Sequence, residues 1–287
     1  MSVIRLSFLV ALPLVVIGLF TAATYAARAR RRQACDDAIR LGLVNALWAF
    51  LTECAATLAV SALVPVGWCM PRWRFAGDLR GSVILVHGWG VNRGALWLLR
   101  RRLLRAGWGS VWCFGYRAYR PDVEHPAALL HQMVLEAARV SRAPITLVGH
   151  GFGGLVLRYH ARRYPPSGIR RIVTLGTPHQ GTDLARWHPM LRRHLTPGAA
   201  LLNRLNANDR VPQQFDVIAI SSTFDARILP AANAEYPEAF NVKVADVGHN
   251  ALLFSKKIVH LICENLDVPA VAGSVAPRTG LAPKISP

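Results

Sequence analysis

Between Ile145 and Arg163 the chain passes from a short apolar strand through a glycine turn into a helix, and few folds accommodate that order. Ile145-Thr146-Leu147-Val148 has the pattern of a buried strand, and Leu155 to Arg163 has helical spacing. The turn between them is Val148-Gly149-His150-Gly151-Phe152-Gly153-Gly154. Two motifs share this geometry. In G-x-S-x-G a strained elbow lifts a nucleophilic serine above a sheet. In G-x-G-x-x-G a dinucleotide pyrophosphate rests on a helix N-terminus. Gly149, Gly151 and Gly154 satisfy the second spacing; Gly149 and Gly153 satisfy the first, with Gly151 where the serine would stand.

The residues around the turn repeat the same alternation. From Gly81 onward, Ser82–Val86, Ser110–Phe114, Ile145–Val148, Arg171–Leu175, Asp216–Ile220 and Asn241–Ala245 read as strands. Helical patterns separate them at about Gly94–Arg105, Glu124–Ser141 and 155–163, and a closing helix is expected at about Leu252–Leu266. Strands alternating with helices imply an α/β class, a mostly parallel sheet covered by helices on both faces. Residues 176–209 read as irregular, and after Val268 the Pro, Ala, Gly and Ser composition predicts a disordered tail over 268–287.

The part before the sheet is different in kind. Apolar residues make up 52% of the chain, and much of the excess precedes Arg72. Val3–Ala27 carries only Arg5 as a charge and is long enough to cross a bilayer. Its positive cluster, Arg28, Arg30, Arg31 and Arg32, follows the apolar run, whereas a cleaved signal places its charges first; cleavage after Ala26 or Ala27 is the alternative. A second apolar stretch, Leu41–Met70, is interrupted by Asn45 and Glu53. Together they predict a membrane-anchoring helical hairpin over residues 1–71, ahead of a domain at 72–267. The positive-inside tendency puts the basic loop in the cytoplasm and the domain on the extracytoplasmic side, the periplasm in a bacterium. Arg5, Arg72 and Arg74 sit poorly with that orientation, and Glu53 would cost about 2.5 kcal/mol or more facing lipid. A second helix lying in the interface or packed on the domain is the competing arrangement.

A net charge of +18, carried almost wholly by arginine, suits an anionic membrane surface, or else reflects solvated basic faces such as Arg100-Arg101-Arg102-Arg105 and Arg158-Arg162-Arg163. No basic patch interleaved with aromatics occurs, so nucleic acid is not an expected partner. Cysteines 35, 54, 69, 113 and 263 have no metal-ligand spacing, and the pairing of Cys113 with Cys263 stays open. Neither a metal nor a cofactor is expected, and the sequence does not identify a protein partner.

In a parallel sheet of this kind, reacting groups collect at the carboxyl ends of the strands, so those ends separate the two glycine readings. The dinucleotide reading needs an acid at the end of the next strand, but that strand ends Leu175-Gly176-Thr177-Pro178 with no acid before Asp183. The elbow reading needs a nucleophile, an acid and a histidine in that chain order. Position 151, Asp225 just past one strand and His249 just past the last supply the order, with the first member missing. Asp183 and Asp246 are rivals to Asp225, and Asp246 lies only three residues before His249. Ser221, Ser222 and Cys113 are candidates for a replacement nucleophile, each with a plainer role as a turn-former or core thiol. His87, His150 and His179 read as loop-fixing residues.

With His87-Gly88-Trp89-Gly90 after the first strand, the elbow, Gly176-Thr177-Pro178-His179-Gln180-Gly181-Thr182, and Val247-Gly248-His249-Asn250-Ala251-Leu252-Leu253, residues 80–266 resemble the bacterial lipases of the α/β-hydrolase superfamily. The resemblance implies an α/β-hydrolase fold, Asp225 as acid, His249 as base, and backbone N–H groups of Trp89 and Phe152 as an oxyanion hole. It also implies an acyl ester or lipid as substrate and a cap or lid at about 182–209. Gly151 departs from the pattern. Three readings remain: an impaired or non-catalytic acyl-lipid binder, a hydrolase using another nucleophile or water activated by His249, and an active lipase whose natural residue at 151 is serine.

Overall fold

The alternation from Gly81 onward builds one sheet. The computed structural model describes residues 3–32, 43–71, 81–141, 143–245 and 247–267; Cys35, Arg72, Arg74, Asp246 and the 268–287 tail lie outside them. The strands are β1 (Ser82–Val86), β2 (Ser110–Phe114), β3 (Ile145–His150), β4 (Ile169–Leu175), β5 (Asp216–Ser222) and β6 (Phe240–Val244). All six pair in parallel in the order β2-β1-β3-β4-β5-β6. The winding direction reverses between β1 and β3. That reversal opens a crevice at the carboxyl ends of these two strands, where His87-Gly88-Trp89 and the 149–154 turn emerge.

The helices in chain order are α1 (Val3–Arg32), α2 (Leu43–Ala62), α3 (Val64–Cys69), α4 (Trp97–Arg105), α5 (Glu124–Val140), α6 (Phe152–Arg163), α7 (Arg192–Leu195), α8 (Ala200–Asn206), α9 (Val211–Gln214) and α10 (Lys256–Asp267). Because side chains alternate across a strand, each central strand feeds two cores. Ile84, Val86, Leu147 and Ile172 pack with Leu130 and Met133 of α5 and Leu155 and Val156 of α6. Val83, Leu85, Val148 and Val173 pack with Leu99 and Leu103 of α4 and Ile258 and Ile262 of α10. Burial on both faces explains why the strands read as continuous apolar runs.

Two regions differ from the sequence expectation. Residues 176–209 are not merely irregular, since they hold a 3₁₀ turn at Asp183–Trp187 followed by α7 and α8. The second apolar stretch is two helices, broken where Pro65 enters the first turn of α3. Of the described helices, Val44–Ala62 is long and apolar enough to cross a membrane. Yet Ala49, Glu53, Ala56 and Val60, spaced four, three and four apart, form a face that is buried against the rest of the molecule. On the other side Val44, Leu47, Trp48 and Leu51 are exposed, as are Val15, Val16, Leu19 and Phe20 of α1. An edge-to-face contact between Tyr25 and Phe50, centroids 5.7 Å apart, joins α1 to α2. The competing arrangement, a second helix packed on the domain, describes this inner face.

Candidate active site

Strand ends bring Gly151, Asp225 and His249 together. Gly151 follows β3 with φ 54° and ψ −123°, a conformation that side-chain-bearing residues rarely adopt, and its backbone turns the chain from β3 into α6. Asp225 lies just past β5 with its carboxylate fully buried, and His249 stands just past β6. His249 Nδ1–H donates to Asp225 Oδ2 at 2.7 Å. A Cβ built on Gly151 would lie 3.2 Å from His249 Nε2. The imidazole therefore presents one nitrogen to the acid and the other to the place where a residue 151 side chain would begin. Asp246 lies outside the described residues, and the Asp183 carboxylate pairs with Arg186 at 3.2 Å.

The acid is held in its charged form. Burial, the largest influence, pushes the Asp225 carboxyl up, but the His249 ring, the Arg227 backbone N–H and the Arg227 guanidinium together hold it below the ordinary value. Its other oxygen accepts from the backbone N–H groups of Arg227 at 2.8 Å and Ile228 at 3.2 Å. Such a carboxylate fixes the tautomer and orientation of the His249 ring.

The surrounding histidines hold loops. His150 Nε2–H donates to the His249 carbonyl at 3.0 Å. Burial, with a lesser contribution from His249, lowers its pKa to about 3, so it stays neutral. His87 stacks on Tyr116 with centroids 4.3 Å apart, and the Tyr116 hydroxyl donates to the His87 carbonyl, which fixes the start of the Gly88-Trp89 loop. His179 is buried between Thr174, Arg158 and the Tyr236 ring. Phe152 opens α6, so its N–H has no carbonyl one turn earlier to bond. Trp89 lies in the turn after β1, its indole edge-on to His188 at 4.7 Å.

Neither Ser222 nor Cys113 is placed as a nucleophile. The Ser222 hydroxyl donates to the Val247 carbonyl and accepts from the Phe224 N–H, and Ser221 is buried within β5. Cys113 is buried, and desolvation pushes its thiol up to about 12, leaving essentially no thiolate at neutral pH. Cys54, Cys69 and Cys113 are free thiols, so Cys113 is not paired with Cys263. The dinucleotide spacing of the glycines has a packing origin. A Cβ at Gly149 would meet the Gly154 nitrogen at 2.7 Å, one at Gly153 would meet the Val86 carbonyl oxygen at 2.5 Å, and one at Gly154 would collide with Thr177. These glycines let α6 start hard against the sheet.

Three participants carry little signal in the sequence. Glu53 of α2 accepts backbone N–H bonds from Asn250 and Ala251, both at 3.1 Å. Thr57, one turn on, accepts from the Asn250 side chain at 3.0 Å and the Arg227 guanidinium at 3.3 Å. Gly176 makes room for the pair, since a Cβ there would lie 3.0 Å from Asp225 Oδ2 and 3.2 Å from His249 Nδ1. Glycine abundance at strand ends is the only clue to the last; nothing in α2 announces the first two.

Residues 83–266 match the model of the alpha/beta hydrolase family. No curated protein is a sequence match to the chain. Among solved structures, lipase B of Aspergillus fumigatus superposes with a TM-score of 0.58 at 15% identity, over 69% of this chain and 55% of that one. The mature Bacillus licheniformis lipase BlEst2 gives 0.56 at 14%, over 69% and 96%. The lin2722 gene product of Listeria innocua gives 0.50 at 16%, over 67% and 96%. At these identities the likeness is one of fold.

Proposed function

Because the chain belongs to the alpha/beta hydrolase family, we propose that it is a lipase- or esterase-type member that binds acyl esters or lipids with its acid and histidine kept and its nucleophile position vacant. The observation that carries this is the 3.2 Å between His249 Nε2 and a Cβ on residue 151, with Asp225 at 2.7 Å on the opposite nitrogen. In this reading a bound ester places its carbonyl oxygen near the Trp89 and Phe152 N–H groups, donors aimed at a developing oxyanion. Its carbonyl carbon lies above Gly151. Glycine offers no oxygen, so the covalent acyl-enzyme route is closed there, and binding plus the oxyanion hole supply what catalysis is left.

Installing the hydroxyl tests the reading. Gly151→Ser should raise turnover of p-nitrophenyl acyl esters by at least about 10³-fold over the native chain, and His249→Ala in that background should abolish the gain. A native protein that already turns over esters at ordinary lipase rates would sink the vacant-site reading and favour an active hydrolase. Failure of Gly151→Ser to gain activity while folded would sink the assignment of 151, 225 and 249.

The apolar outer faces of α1 and α2 support a second part of the proposal, that the chain is membrane-bound through its N-terminal helices with the domain extracytoplasmic. Trp48 is 62% and Leu51 51% exposed, a poor arrangement for a surface bathed in water. The native protein should stay with membranes through an alkaline carbonate wash, and Leu47→Asp with Leu51→Asp should release it. Retention of the double variant in the pellet would rule this face out as the anchor.

A further inference from the structure

The matched family residues begin at 83, yet the loops that carry Asp225 and His249 are gripped by side chains from before that point. Glu53, 3% exposed, uses both carboxylate oxygens on the His249 loop, accepting from the N–H groups of Asn250 and Ala251, and Gly248 lies so close that a Cβ there would collide with it. The same carboxylate lies 3.5 Å from the Arg227 guanidinium, whose own backbone N–H donates to Asp225. Thr57 ties the two loops together by accepting from both Asn250 and Arg227. The other helix contributes as well, because the Arg28 guanidinium lies over Phe224 at 5.3 Å and Phe20 lies beneath Arg227 at 5.4 Å. The residues on either side of Asp225 and of His249 are thus held by the N-terminal helices.

Building on the function proposed above, we infer that Glu53 is a positioning residue for His249, so that the N-terminal helix α2 is a working part of the site as well as its anchor. A charge-assisted bond from a carboxylate to a backbone N–H is about twice as strong as a neutral one, and two of them pin the turn Asn250–Phe254 at its first residues. The imidazole sits on the residue before that turn, so its reach to position 151 depends on where the turn is held. A displacement of about 1 Å at such a base can cost about 10²-fold in rate. Glu53 touches no reacting atom, and its action runs through the backbone.

Two readouts on the full-length protein in detergent test this. Hydrogen exchange on the native chain and on Glu53→Ala should show the Asn250 and Ala251 amides exchanging at least about tenfold faster in the variant, with β3 and β4 amides unchanged. In a Gly151→Ser background, Glu53→Ala should slow the rate constant for labelling by a fluorophosphonate at least about tenfold, and Glu53→Gln, which keeps one acceptor oxygen, should fall between. A merely structural role would reduce the fraction of molecules that label and leave the rate constant alone, and that result overturns the inference. So does exchange at 250 and 251 within twofold of native. If Gly151→Ser takes no label even with Glu53 intact, the reading of position 151 fails, while the exchange experiment still decides the role of Glu53.

Discussion

Two properties of position 151 favour glycine. Its φ of 54° strains any residue with a Cβ, and a Cβ would also press on His249 at 3.2 Å, so the native glycine relaxes the turn that a serine would load. Gly151→Ser and Gly151→Ala should both destabilise the protein by about 1–3 kcal/mol in denaturant unfolding, the alanine without any gain in ester turnover. Equal stability of all three would mean the elbow is not strained. The three candidate positions are legible because each lies at a strand's carboxyl end, where the fold class alone says to look. Glu53 is not, because a lone acid in an apolar helix reads as a liability for membrane insertion, and its partners are backbone N–H groups without a side-chain signature.

At the scale of elements, residues 183–206 show how short helices escape notice. At four and seven residues α7 and α8 span two turns or fewer, too little for a period to register. What fixes α8 is also misread in the sequence, where Arg158 belongs to a solvated basic face. The structure buries it to 1% exposure, with its guanidinium on the Asp209 carboxylate, the Leu205 carbonyl and the Tyr236 ring. Burial, the largest influence, pushes the Asp209 carboxyl up, and hydrogen bonds from Tyr236 and Arg158 outweigh it to hold it below its usual value. Arg158→Ala would leave that carboxylate with Arg162 at 3.4 Å, the Tyr236 hydroxyl and the Val211 N–H, and should cost about 1–3 kcal/mol, read as a lowered denaturant midpoint. A change under 1 kcal/mol would show that this segment is held by other contacts.

For the molecule as a whole, acid is the expected weakness. His87, His150 and His160 are buried mainly as neutral rings, with desolvation lowering their pKa values to about 4, 3 and 3, and His179 shifts in the same direction. An unfolded histidine binds its proton near pH 6.5, so stability is full above that value and is lost as pH falls towards 3–4. The three rings with stated values together give a slope of about 4 kcal/mol per pH unit near pH 5. Thermal unfolding between pH 7 and 4 should show that steep decline, and a flat profile across this range would contradict the neutral burial. The α/β layering was readable throughout because both-face burial writes itself as apolar runs. The seating of α2 on the domain was not, since the same composition serves a lipid contact and a protein contact.

The 197 residues that separate Glu53 from its partner at Asn250 also set an order of events during synthesis. At ordinary elongation rates the helix bearing that carboxylate is complete about 10–40 s before the backbone amides that receive it have been polymerised. Until then that carboxylate lacks the amides it is built to hold, and a helix made early must wait for a loop made much later before either can settle.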